Sequence, residues 1–254
     1  LDTIVTTVQR ASEDLEKKAK TIADKLKGTY LERSRLKGIS SCEAPVLVVA
    51  KEGINLHYND EKFFFHPSMA MLRIKRIMKG EKDIFNTICG DIRGYSVLDC
   101  TMGFGSDSLV FSYLVEELGC VTALEINTLI YTVISDGLKN SYPKWDEINA
   151  TKMNIRTYNL DYHSYLDSCT EKSHDIVYFD PMFDEPLTES VHLDPIRALA
   201  QKDQLTVEVI DRAKMVASKF VIVKNRVDYD FNKLGIYETF SKSSSKIKYG
   251  IVRL

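Results

Sequence analysis

The sequence predicts an α/β protein: a mostly parallel sheet with helices on both faces, preceded by a small N-terminal α+β appendage. Three observations carry this. From Tyr95 onward, strand-like runs alternate with amphipathic runs of helix length, the pattern of a parallel sheet built from crossover connections. Val97-Leu98, Asp175-Ile176-Val177-Tyr178-Phe179 and Phe220-Val221-Ile222-Val223 are nearly continuous apolar stretches, as strands buried on both faces should be. A Gly-x-Gly turn at Gly103 and Gly105 follows the first of them and opens a helix, the place where open α/β sheets hold ligands.

Bulk properties set wider bounds. At 254 residues the chain can hold one large domain, or a medium domain with a smaller one. The formal net charge of −2 excludes no partner, but it is unevenly spread: 17 basic stand against 13 acidic residues in 1–94, and 17 against 23 in 95–254. A basic front third suits an anionic partner, and lysine-rich solvated helices give the same count. The five cysteines, Cys42, Cys89, Cys100, Cys120 and Cys169, are odd in number and never spaced C-x-x-C, so they are expected to be small buried apolar residues rather than a disulfide frame or zinc site. No apolar run approaches a membrane span and no signal-peptide h-region opens the sequence, so the expected location is the cytoplasm, without a membrane partner.

In chain order, Ile4, Val8, Ala11, Leu15, Ala19, Ile22 and Leu26 recur at helical spacing and predict a helix over 3–27, with Gly28 as its stop. Residues 29–41 read as an irregular basic connector. Val46–Ala50 and Ile54–Tyr58, joined by Lys51-Glu52-Gly53, read as a hairpin, with 62–65 as a third strand. His66-Pro67-Ser68 breaks the pattern, placing the domain division at 1–66 and 67–254. Met69–Ile77 then resumes helical periodicity, with Arg73, Lys75, Arg76 and Lys79 as the densest basic patch. The core reads as strands at 95–100, 120–125, 154–158, 174–179 and 219–224, with helices at 107–118, 128–140 and 204–217. The tail, 236–240 and 247–254, reads as an antiparallel hairpin on the sheet edge.

The chemistry concentrates at the strand ends. The dinucleotide fingerprint lacks its third glycine, since Ser108 stands there, and Asp99 and Asp107 flank the turn. Two carboxylates repel a pyrophosphate and welcome a cation. That charge logic favours S-adenosylmethionine, which has no phosphate and carries a sulfonium and an ammonium. Glu125, at the end of the second strand, is placed to accept ribose hydroxyls. Asp161, after the third strand, stands where an adenine amino group would lie. Asp180-Pro181-Met182-Phe183, after the fourth, is the most specific signal. The Asp180 carboxylate and the Pro181 carbonyl can accept hydrogen bonds from a conjugated amine as it is methylated, with Phe183 stacking on a base splayed out of its helix. Lys224 and Arg226 end the fifth strand on the same face and could meet an anionic substrate. His66, His163 and His174 have no metal spacing, and no metal is expected.

With these residues the chain resembles the class I S-adenosylmethionine-dependent methyltransferases, and more narrowly the RsmJ-type ribosomal RNA guanine-N(2) methyltransferases. The resemblance rests on Val97–Asp107, on Leu124-Glu125, on Asp180-Pro181-Met182-Phe183, on Val221-Ile222-Val223-Lys224 and, upstream, on Met69–Arg73. It implies a Rossmann-like sheet with an antiparallel last strand. It also implies cofactor contacts at Ser106, Asp107, Glu125, Ile126, Asp161, Tyr162 and Asp180, beside the Asp99, Gly103 and Gly105 read from the turn. The implied reaction is methylation of a guanine amino group in small-subunit ribosomal RNA, with Arg73, Lys75, Arg76 and Lys224 expected to meet the RNA. The chain departs from the family at Ser106, usually arginine, at Ile126, often basic, and at Asp184, where proline usually follows the phenylalanine. Two rivals stand beside this expectation: a methyltransferase acting on a protein or small molecule, and a non-catalytic RNA-binding or assembly protein that keeps the fold.

Overall fold

The computed structural model describes every residue except 1, 37, 40–41, 141–145, 182–204 and 244. The described residues fall into two compact units, one formed by 2–66 with 127–140, the other by 67–126 with the remainder of the chain.

The first unit holds a five-stranded sheet of β1 (Ile4–Thr7), β2 (Thr29–Tyr30), β3 (Val46–Ala50), β4 (Gly53–Tyr58) and β5 (Glu61–Phe64), in the order β2-β1-β3-β4-β5. The β3-β4-β5 meander is the expected hairpin with its third strand. The helix expected over 3–27 is shorter: α1 spans Glu13–Leu26, and Ile4–Thr7 pairs in parallel with Val46–Val49. The physical reason is the unbroken β-branched run Ile4-Val5-Thr6-Thr7, which packs on a pleated sheet better than in a helix turn. Ser12 caps α1 by accepting from the Leu15 amide. The basic connector contributes β2 and a 3₁₀ turn at Arg33–Arg35. All five residues of β3 are buried. Helix α5 (Thr128–Lys139) packs on β4 and β5, and Lys18 of α1 lies 2.6 Å from Asp136 of α5. Gly137 permits that approach, since a Cβ there would fall 2.2 Å from the Cβ of Phe65.

The second unit opens with α2 (Ser68–Met78) and α3 (Ile84–Cys89). Its seven-stranded sheet contains β6 (Ser96–Asp99), β7 (Cys120–Leu124), β8 (Ile155–Tyr158), β9 (His174–Phe179), β10 (Ala217–Arg226), β11 (Glu238–Phe240) and β12 (Ile247–Arg253). The order is β11-β12-β10-β9-β6-β7-β8; β12 runs antiparallel to both its neighbours, and the other pairings are parallel. Five strands and the antiparallel tail fall where the periodicity predicts them. Helices α4 (Ser106–Val115), α6 (Asp146–Thr151), α7 (Tyr162–Ser168) and α8 (Val207–Val216) complete the unit. All of α4 except Ser106 and Tyr113 is buried, so it is a core helix without a polar face. Behind it Phe85 stacks on Phe111 at 3.8 Å, and Tyr178 meets both rings edge-on.

Of the five cysteines only Cys100 is buried; the other four are half-buried, and all are free thiols. Among the described residues no helix is long and apolar enough to cross a membrane. None of their His, Cys, Asp and Glu side chains cluster as metal ligands.

Candidate active site

The site is built where β6, β7 and β9 end. Beyond β6 the chain bends back, with the Cys100 amide donating to the Tyr178 carbonyl at 2.9 Å and the Met102 amide to the Leu124 carbonyl at 2.8 Å. Gly103 and Gly105 both adopt left-handed backbone (φ +49° and +72°), which a residue with a Cβ rarely takes. The Gly103 amide donates to Glu125 Oε2 at 3.1 Å, fixing that carboxylate beside the turn. Helix α4 starts at Ser106, so its first-turn amides follow directly on the glycine turn.

Asp99 is buried. Its carboxylate is 1% exposed and accepts from the Thr101 amide at 3.1 Å and the Ser108 hydroxyl at 2.5 Å. Asp99 is therefore a brace of the turn rather than the cation-facing group that charge reasoning expects. Burial pushes its pKa from 3.8 up to about 7, only partly countered by the Ser108 hydrogen bond.

On the second rim, Glu125 is half-buried and Ile126 is 37% exposed, an apolar side chain set beside a carboxylate. The Asn159 side-chain amide donates to the carbonyls of Glu125 (2.7 Å) and Ile126 (3.0 Å), tying the ends of β7 and β8 together. Asp161 caps α7, accepting from the amides of His163 and Ser164. Tyr162 is buried, with its ring stacked on His163 at 4.4 Å and edge-on to Phe179.

The third rim is Asp180. Its amide donates to the Thr101 hydroxyl at 2.6 Å, which joins the glycine turn to the end of β9. The Lys224 ammonium lies 2.7 Å from Asp180 Oδ2 and 3.0 Å from Asp107 Oδ2, bridging the two carboxylates. The Tyr178 hydroxyl donates to Asp107 Oδ2 at 2.7 Å. Arg73, from α2, holds Asp107 Oδ1 and forms a two-pronged pair with Asp83 at 2.9 and 2.7 Å. Burial opposes the charge on Asp107, but Lys224 and Arg73 together hold its pKa well below the usual carboxylate range. Asp180, with 27% of its side chain exposed, is pushed upward by burial while Lys224 pulls the other way. Lys224 resists the loss of its proton that burial favours, because Asp107 and Asp180 both face it.

This network changes the reading of three residues. Arg73 and Lys224, expected to meet RNA, turn inward with only 22% and 20% of their side chains exposed and are spent on carboxylates. The two oxygens of Asp107, expected at the cofactor, are taken by Arg73, Lys224 and Tyr178. Lys75 and Arg76 remain solvent-exposed on α2. Arg226, the other expected strand-end cation, pairs with Asp228 at 2.8 Å. Gly103, Gly105, Glu125, Ile126, Asp161, Asp180 and Pro181 belong to the strand-end loops of this unit, and Ser106 and Tyr162 open the helices that follow; Phe183 lies outside the described residues. Sequence reasoning missed Thr101, Ser108, Asn159, Tyr178 and Asp83, all polar braces. Only Asn159 gave a signal, as the first residue after a strand.

A parallel sheet with one antiparallel strand inserted next to its edge, and a glycine turn paired with a strand-end carboxylate, define a class I methyltransferase. The comparisons agree. Residues 30–234 match a family model described as "Putative SAM-dependent methyltransferase". Over 255 residues the chain is 34% identical to the uncharacterized protein YpiP of Bacillus subtilis, covering 98% of this chain and 99% of that one. It is 26% identical over 215 residues to ribosomal RNA small subunit methyltransferase J of Legionella pneumophila, covering 83% and 82% of the two chains. A solved SAM-dependent methyltransferase from Neisseria gonorrhoeae shares the fold at TM-score 0.67 and 17% identity, covering 98% of this chain and 95% of that one.

The chain belongs to the SAM-dependent methyltransferase family, and its cofactor is S-adenosyl-L-methionine. The donor set fits that molecule. Glu125 offers a carboxylate where a ribose diol needs an acceptor, Ile126 offers an apolar face, and the cations on Asp107, Arg73 and Lys224, are already neutralised by Asp83, Asp107 and Asp180. No positive charge is left at the turn by that pair to oppose a sulfonium.

Proposed function

We propose that this methyltransferase acts on the exocyclic amino group of a guanine in small-subunit ribosomal RNA. In this reading Glu125 holds the ribose, Ile126 and Tyr162 flank the adenine, Asp161 meets its amino group, and the turn from Gly103 to Asp107 carries the remainder of the cofactor. Bound there, the cofactor supplies an electrophilic methyl group on a sulfonium. The observation that carries the substrate reading is Asp180, an acceptor ion-paired to Lys224 at 2.7 Å and tied through Thr101 to the glycine turn.

The lone pair of a guanine amino nitrogen is delocalised into its ring, so the nitrogen is a poor nucleophile. Asp180 and the Pro181 carbonyl accept its N–H hydrogens and stabilise the positive charge that develops as the methyl arrives. The nitrogen gains the methyl and releases one proton, which Asp180 accepts. Burial raises the proton affinity of Asp180 above that of an ordinary carboxylate, while the Lys224 ammonium pulls the other way. The relatives named ribosomal RNA small subunit methyltransferase J support RNA over a protein or small molecule.

The test is transfer of labelled methyl groups to small ribosomal subunits from a strain lacking the protein, followed by mapping of the modified base. Label on a guanine amino group is the expected result. Label on protein, or none on RNA, would exclude this substrate.

A further inference from the structure

Resting on the RNA reading above, we infer that a cavity between α2 and the start of β12 is a phosphate-binding subsite for the RNA strand that carries the target base. The cavity holds about 270 Å³ and is lined by Arg76, Lys82 and Lys242 around a floor that includes Tyr249. That is close to the lower end of ligand-sized cavities, about 300 Å³. Arg73 also lines it, but its charge is answered by Asp83 and Asp107. Among the described residues the other three cations form no ion pair. Glu81 is the remaining carboxylate of the lining, so the cavity keeps a net positive charge.

Its place in the sheet links it to the reaction. Lys224 of β10 pairs with Tyr249 of β12, and Arg226 with Ile247, so the start of β12 lies at the strand edge that carries the site. Val223 pairs with Phe179, which sets Asp180 level with Lys224. From the cavity wall, Arg73 touches Asp107, Asp107 touches Lys224, and Lys224 touches Asp180. An anion in the cavity therefore sits a few side chains from the reacting nitrogen. The cofactor is excluded as that anion, because it has no phosphate and carries positive charge. A phosphodiester next to the target nucleotide has the right charge and is already tethered to the substrate.

The experiment compares wild type with Arg76→Ala, Lys82→Ala, Lys242→Ala and the double variant R76E/K242E, using Lys25→Ala on the exposed face of α1 as control. Binding of the small-subunit RNA is followed by anisotropy across a salt series, methyl transfer by label, and cofactor affinity by calorimetry. Each single variant is expected to weaken RNA binding about fivefold and to flatten the salt slope by about one phosphate contact, with cofactor affinity unchanged. R76E/K242E is expected to lose most binding at physiological salt. Unchanged RNA affinity in R76E/K242E, or an equal loss in Lys25→Ala, overturns the subsite while leaving the methylation reading standing. Wild type that binds RNA through the cavity yet labels no RNA overturns the methylation reading instead. Inorganic phosphate that binds as tightly as RNA overturns the assignment to a strand.

Discussion

Asp99 and Asp107 stand on either side of one glycine turn, both buried, and are held in opposite ways. Asp99 is met by a backbone amide and a hydroxyl, neutral donors that leave its pKa raised to about 7. Asp107 is met by an arginine, a lysine and a tyrosine hydroxyl, and is held well below the carboxylate range. Burial alone does not set the charge of a carboxylate; the charge of its donors does. The turn thus has a partly protonated brace on its strand side and a fixed ion cluster on its helix side, and Asp180 draws its lysine from that cluster.

The largest effect that could break this contrast comes from removing the shared cation. Lys224→Met leaves the buried Asp107 and the half-buried Asp180 with one cation fewer, and should cost about 3–5 kcal/mol of stability in denaturant unfolding. Lys224→Arg should restore part of it. A change under about 1 kcal/mol would mean the cluster is not held together by charge. Next, Asp180→Asn is expected to slow methyl transfer about 10²- to 10³-fold while cofactor affinity measured by calorimetry stays within about threefold. Near-normal turnover would remove Asp180 from the reaction.

On the ribose rim, Glu125→Gln should weaken cofactor binding about tenfold, the loss expected when a charged acceptor becomes neutral. The last effect concerns the brace and is spread over pH. The folded-state pKa of Asp99 lies above its unfolded value of 3.8, so the stability it contributes at low pH is lost as pH rises from about 4 to about 7. Asp99→Asn removes that slope. The wild type should therefore lose stability relative to the variant across this window, at most on the order of 1 kcal/mol per pH unit, with a flat difference above it. For Asp107 the sign is reversed: its lowered pKa gives stability that is present above 3.8 and lost in acid, so Asp107→Asn should blunt acid denaturation.

The second unit's sheet was legible because its signals are local: apolar runs such as Val221-Ile222-Val223, a glycine turn, and carboxylates directly after strands. The first strand was not. Ile4 and Val8 also satisfy a helical spacing, and what places Ile4–Thr7 in a sheet is parallel pairing with residues some forty positions away. The same blindness to distance explains Arg73 and Lys224. Counted along the chain they add to a basic patch. In the fold, residues 34 and 117 positions from Asp107 converge on it and become its counter-ions. Thr101 was invisible for a different reason: a hydroxyl in one motif that holds another carries no signal until both motifs have a place.

The helix at 128–139 gives the chain an unusual order of assembly. Strands β6 and β7 of the second unit precede it, yet its partners are β4 and β5 of the first, with Gly137 pressed against Phe65. In order of synthesis, this helix of the first unit follows two strands of the second. Domain-by-domain folding from the N-terminus is the rule for separable modules. Here the chain returns to its first unit after opening its second, and the returning segment begins directly after Glu125 and Ile126.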